Sequence, residues 1–277
     1  MRAIVLLLLL SCLCLASPAS ADAPAAAASQ EREASELAAQ CPELVYTANP
    51  NYPPYHWVDS KGRLVGASVD LLKLAAPPGV RLKPVALPWK RALLLAERGE
   101  IDLILSLRIT PERSRYLTFV PARAFPNPIV VFVRKNRAFP FTSWADLKGR
   151  RGGLSMGDTF GAGFDEYWRA ELSLEEAKDM EGNFKKLHAG RIDYFVTSRY
   201  VGEAYAARHP EMADIVPLGA PISEQDIHFG FSRRSPCAAL SRYISRRLRE
   251  LDRSGVSERL LTEHLRRLRL GAGAQTR

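Results

Sequence analysis

Gly99-Glu100-Ile101-Asp102-Leu103-Ile104-Leu105-Ser106 is the stretch whose reading decides the fold. The segment before it, Trp89 to Arg98, carries a helical pattern, and Gly99 stands where a helix C′ residue belongs. Ile101–Ser106 is then a short apolar run of the kind that forms a buried strand. The device recurs 91 residues later, at Gly190-Arg191-Ile192-Asp193. There, a helix is expected from an Asn183 cap to Ala189, followed by a strand over Ile192–Val196. Two helix–glycine–strand units so placed predict two similar lobes in one chain.

The flanking segments keep the alternation. Leu44–Ala48 reads as a strand, and Val69–Ala75 as a helix face stopped by Pro77-Pro78-Gly79. Arg81–Ala86 is the next strand. A proline-rich stretch (Pro121, Pro126, Pro128) precedes a strand over Ile129–Arg134, and Pro217 and Pro221 precede one over Ile227–Ser232. Short strands alternating with helices define an α/β chain. Two crossings between the lobes would return the C-terminal helices to the first.

The chain has 277 residues and a formal charge of +9. The charge is concentrated: Arg233–Arg269 holds eleven arginines, four acids and no lysine, and residues 22–232 sum to zero. The basic helices read as a solvated face, and in an exported protein, which the N-terminus predicts, anionic lipid or a protein partner rather than nucleic acid is the alternative for them. Arg2, an apolar run from Ala3 and the Ala19-Ser20-Ala21 end predict a secretory signal peptide over 1–21, cut after Ala21. Residues 22–41 read as a linker or frayed helix and 271–277 as a tail. Cleavage leaves Cys41 and Cys237, which an oxidising compartment would pair.

Among chemical motifs, Gly153-Leu154-Ser155-Met156-Gly157 matches the G-x-S-x-G nucleophile elbow, making a secreted serine hydrolase using Ser155 one alternative. Ser155 fits better inside a strand, and no glycine-rich oxyanion loop lies upstream. The loop Gly157-Asp158-Thr159-Phe160-Gly161 leads to a helix from about Ala162, whose first amides would suit a carboxylate. Histidines 56, 188, 209, 228 and 264 lack zinc-ligand spacing, so neither metal nor cofactor is expected.

One ordered set of motifs resembles the family-3 bacterial extracellular solute-binding proteins, the periplasmic amino-acid-binding type. It comprises Asn51-Tyr52-Pro53-Pro54-Tyr55, Gly62-x-x-x-Gly66-x-x-x-Asp70 and Pro88-Trp89-Lys90-Arg91. Gly99-Glu100-Ile101-Asp102 with Thr110-Pro111-Glu112-Arg113 and Phe119 follows, then Asp146-Leu147-Lys148-Gly149, Gly157-Asp158-Thr159 and Gly190-Arg191-Ile192-Asp193. The resemblance implies two Rossmann-like lobes on a two-crossing hinge, the type II periplasmic binding protein architecture. Lobe 1 would comprise residues 42–127 plus 230–270, and lobe 2 residues 131–225. It implies a non-enzymatic, monomeric periplasmic protein that closes on a small carboxylate-bearing solute and serves an ABC permease or a membrane sensor. An enzyme similar to cyclohexadienyl dehydratase is the other reading on this scaffold.

By the same resemblance, Arg113 takes the ligand carboxylate, Ser106 and Thr159 supply contacts from opposite lobes, and Tyr52 and Trp89 form aromatic walls. Three positions depart from the pattern. Ser198 stands where an aspartate receives the ligand ammonium, Asn49 where cationic amino-acid binders carry an acid, and Arg108 where a small residue is usual. The cleft is therefore expected to favour acidic amino acids or organic acids over lysine, arginine or histidine, with Asp158 or Glu203 as candidate substitutes for the missing ammonium partner.

Overall fold

The computed structural model describes the backbone of residues 22–275 and the side chains of residues 28–270. The signal peptide expected over 1–21 lies outside the described residues.

Two sheets organise the molecule. The first takes β1 (Glu43–Thr47), β5 (Arg81–Pro84), β6 (Leu103–Leu107), β7 (Leu117–Phe119) and β14 (His228–Ser232), in the order β5-β1-β6-β14-β7. The second takes β8 (Pro128–Arg134), β9 (Arg151–Ser155), β10 (Ser173–Ala177), β11 (Tyr194–Ser198) and β12 (Ile215–Pro217), in the order β10-β9-β11-β8-β12, with β13 (Ser223–Glu224) on β8. The chain thus leaves the first sheet between β7 and β8 and returns between β13 and β14. A bridge between Phe125 and Ile227 joins the two crossings. A small sheet of β2 (Asn51–Tyr52), β3 (His56–Val58) and β4 (Leu64–Val65) sits on the first lobe.

Helices α2 (Ala67–Ala75), α3 (Trp89–Arg98), α8 (Ser241–Arg253) and α9 (Val256–Gln275) belong to the first lobe, with the single-turn α4 (Pro111–Ser114). Helices α5 (Phe164–Glu171), α6 (Met180–His188) and α7 (Arg199–Arg208) belong to the second. Each sheet is covered on both faces, which explains why β6 and β11 are buried throughout. One core lies under α2 and α8, around Leu71, Leu105, Phe229 and Leu248, and a second surrounds Ile104 and Leu117 on the α3 side. The second lobe likewise has two, around Phe164 with Val131 and around Phe184 with Phe195. Helix α9 also packs along α7, so the C-terminal helix touches both lobes.

The repeated tetrapeptide has a shared physical role. Asp102 Oδ2 accepts the Val45 amide at 2.8 Å, and Asp193 Oδ2 accepts the Arg151 amide at 2.8 Å. In each lobe the carboxylate satisfies a donor on the neighbouring strand, and the aspartate's own N–H bonds the carbonyl of that same residue. Gly99 and Gly190 precede them with φ of 84° and 70°, and at Gly99 a Cβ would meet that of Arg234 at 2.8 Å. Only glycine satisfies both demands.

Of the two readings of residues 22–40, linker or frayed helix, the helix forms: α1 (Asp22–Gln40) has Ala34 buried and Glu33 paired with Arg246 of α8 at 2.6 Å. One sequence expectation needs correction. The cap of α6 is Asp179, which accepts the Gly182 amide at 2.9 Å. Asn183 lies one turn inside, buried, its Nδ2 donating to Ser155 Oγ. Cys41 and Cys237 form a disulfide with Cα atoms 5.1 Å apart, tying the entry of β1 to the segment before α8.

Candidate functional site: the interlobe cleft

A cavity of about 590 Å³ runs between the C-terminal ends of the two sheets. The first lobe contributes Asn49, Tyr52 and Arg108, and the second Ser155, Asp158 and Ser198. In open α/β sheets ligands bind at this end, where loops rather than strands face outward.

The β6 end is locally strained. Ser106 adopts φ of 43°, outside the region normal for a side-chain-bearing residue, and is held there with its Oγ 2.6 Å from Ser68 Oγ. The turn sends Arg108 across the cleft, where its Nη1 donates to the Thr159 carbonyl of the opposite lobe. Thr110 then caps α4, its Oγ1 accepting the Arg113 amide at 3.3 Å. Arg113 returns underneath: its Nη1 donates to the Arg108 carbonyl at 2.9 Å, and its guanidinium carbon lies 5.6 Å from the Trp89 ring centre. No ion pair engages Arg113 among the described residues. Burial holds its guanidinium below the usual arginine range.

Opposite stands Asp158. Burial pushes its carboxyl up to about 6, against the pull of the Arg108 charge. Tyr52 covers the floor, its ring stacked on Tyr55 at 5.5 Å and its hydroxyl accepting Asn127 Nδ2 at 3.3 Å. Ser198 Oγ donates to Asn127 Oδ1 at 2.5 Å, so its hydroxyl is already committed. Asn49 Oδ1 accepts the Asn51 amide, and its carbonyl lies 2.8 Å from His56 Nδ1. Burial lowers His56 to about 4, so the imidazole is neutral at neutral pH.

Of the residues expected at the site, Asn49, Tyr52, Arg108 and Ser198 line the cavity. Arg113, Trp89 and Ser106 lie off its wall, Arg113 one contact removed through Arg108. Thr159 presents its carbonyl to Arg108. The expected anion-binding amides of the following loop are taken. Phe160 N and Gly161 N both donate to Asp165, at 3.0 and 2.8 Å, and α5 begins only after Gly163. Glu203 is paired with Arg199 at 3.1 Å and does not line the cleft, whereas Asp158 does. Ser155 ends β9 and accepts from Asn183 rather than engaging a histidine. Among the described residues no cluster of metal-type ligands occurs, and no helix is long and apolar enough to cross a membrane.

Two lobes, two crossings and a charged cleft between sheet ends define a two-lobed ligand-binding protein. The chain belongs to the bacterial extracellular solute-binding proteins, family 3, whose sequence profile matches residues 44–266. It is 29% identical over 188 residues to the L-arginine-binding protein of Pseudomonas aeruginosa, covering 62% of this chain and 70% of that one. It is 23% identical over 223 residues to the histidine-binding periplasmic protein of Salmonella typhimurium, covering 78% and 85%. Among solved structures, a mutant of the arginine-binding protein ArgBP from T. maritima superposes with a TM-score of 0.60 at 25% identity, covering 83% of this chain and 97% of that one. The extracellular binding protein ytmK of Bacillus subtilis shares the fold with a TM-score of 0.70 at 18% identity, covering 81% and 98%.

Proposed function

We propose that the chain captures a single amino acid in the interlobe cleft by lobe closure and presents it to an ABC importer or a membrane sensor from the periplasm, as a monomer and without chemical turnover. The observation that carries this reading is the charge arrangement of the cleft: Arg108 and the acid-free Arg113 on one lobe, Asp158 on the other. An α-amino acid has one carboxylate and one ammonium, and a closed cleft strips both of water, so each needs a counterpart. Arg113, reached once Arg108 gives way to ligand, offers paired N–H donors to a carboxylate. Asp158 accepts from the ammonium and is ionised once that charge is beside it. The relatives' arginine and histidine ligands support the amino-acid class.

A thermal-shift screen against amino acids and non-amino organic acids tests this. Ligand at a hundredfold excess over its Kd stabilises by about 2.7 kcal/mol. Shifts with α-amino acids and none with their desamino analogues are expected; the reverse pattern contradicts the Asp158 role.

A second reading, a dehydratase on the same scaffold, draws on Asp158 alone, since an acid raised to about 6 in a cleft suits proton transfer. Prephenate turnover by purified protein separates the two.

A further inference from the structure

The cleft has wall to spare beyond the residues that the amino-acid reading uses. Its 590 Å³ lies within the roughly 300–1,000 Å³ that encloses drug-sized ligands. Its far end is built by the last turn of α7, where Tyr205, Arg208 and His209 face Met180 and Glu181 at the start of α6. The amino-acid reading uses none of these.

Arg208 is the unusual member. It is half-buried, its Nε is shielded from solvent without a partner, and no hydrogen bond or ion pair engages it among the described residues. The acids near it are already occupied. Asp179 caps α6 by accepting the Gly182 amide, Glu181 pairs with Lys185 at 2.5 Å, and Glu211 lies 3.3 Å from His209. Tyr205 is stacked between Phe184 at 4.5 Å and His209 at 4.2 Å, so the surface beside Arg208 is a fixed aromatic face. A cation taken partly out of water with no counter-charge is costly unless a ligand supplies one.

Geometry sets the ligand's length. From Ser198 to Arg208 α7 rises about 15 Å, and an arginine side chain leans back toward its helix N-terminus. That lean shortens the span without closing it, so a second carboxylate reaches the guanidinium best when it is carried on a chain longer than glutamate's.

We propose that Arg208, with Tyr205 and His209, forms a distal anion subsite of this cleft, and that the ligand is an elongated α-amino acid ending in a second carboxylate. This rests on the amino-acid reading above. Such a residue would repel the distal cation of an arginine ligand, so the subsite selects against that ligand by charge.

Isothermal titration of the full mature chain with 2-aminosuberate, 2-aminooctanoate, glutamate and arginine tests it. The first two match in length and differ in the distal carboxylate. We expect aminosuberate to bind at least tenfold tighter than either aminooctanoate or glutamate, Arg208→Gln to erase that preference, and Arg208→Lys to keep part of it. Equal affinity for aminosuberate and aminooctanoate, or a preference that survives Arg208→Gln in a folded variant, overturns the subsite. Arginine binding through Asp158 with no response to aminosuberate overturns it too, while leaving the amino-acid reading standing. Binding of no amino acid at all overturns both.

Discussion

Replacing Asp158 with asparagine should make the ligand-free protein more stable while weakening its hold on an amino acid. The carboxyl is raised from 3.8 to about 6 in the folded state, with burial as the main cause. A raised carboxyl binds more protons folded than unfolded, so its contribution to stability falls as pH rises from about 4 through 6 and stays low above that. Two units correspond to about 3 kcal/mol at pH 8. Water reaching the open side of the cleft reduces this, and we take 1–2 kcal/mol. Asparagine keeps the shape and discards the charge. For a chain this long each kcal/mol moves Tm by about 2–4 °C, so Asp158→Asn should melt about 2–8 °C higher at pH 8 and within about 1 °C of wild type at pH 4. The same variant should lose at least tenfold in amino-acid affinity, since an ammonium in the cleft would have no counter-charge. Calorimetric melts at the two pH values, with titrations on the same samples, read both effects. A variant less stable than wild type at pH 8, or shifted equally at both pH values, refutes the reasoning.

Wild-type affinity for an amino acid should weaken below about pH 6 as Asp158 takes up its proton, and a titration series from pH 5 to 8 would show it; unchanged affinity across that range contradicts the pairing. Arg113→Ala should cost about 2–5 kcal/mol of binding, seen by calorimetry as a fall of well over tenfold. Reduction of Cys41–Cys237 should lower unfolding free energy by about 2–5 kcal/mol in a urea titration, because the bridge closes a loop of nearly the whole domain. Two alkylatable thiols in the oxidised, folded protein would contradict that bridge.

What the sequence made legible was whatever local chemistry dictates. The Gly-x-Ile-Asp units announce a left-handed helix stop and a strand start, and both aspartates turn out to satisfy a neighbouring strand's donor. The double crossing followed from the order of strands and prolines. Which of several polar partners within about a turn of one another would pair was not legible. Asp165 claims the amides of Phe160 and Gly161, five and four residues before it, and Glu203 pairs with Arg199 at i,i+4, while Asp158 faces the cleft. Asn183 was a plausible cap by type, yet Asp179, four residues earlier, takes that role and leaves Asn183 for Ser155. The alanine-rich 22–40 segment has a single large apolar side chain, Leu37, too little to show a core face, and it docks through Ala34, Leu37 and one ion pair. Arg208 gave no signal at all, since a single arginine at a helix end is ordinary until its surroundings are known to lack a free acid.

The most direct test of the central claim is a crystal structure of the protein with a bound α-amino acid. The account predicts the ligand between the lobes, its α-carboxylate within hydrogen-bond distance of the Arg113 guanidinium, its ammonium on Asp158, and Arg108 displaced from the Thr159 carbonyl. A ligand whose ammonium is held elsewhere, with Asp158 unengaged, would contradict it.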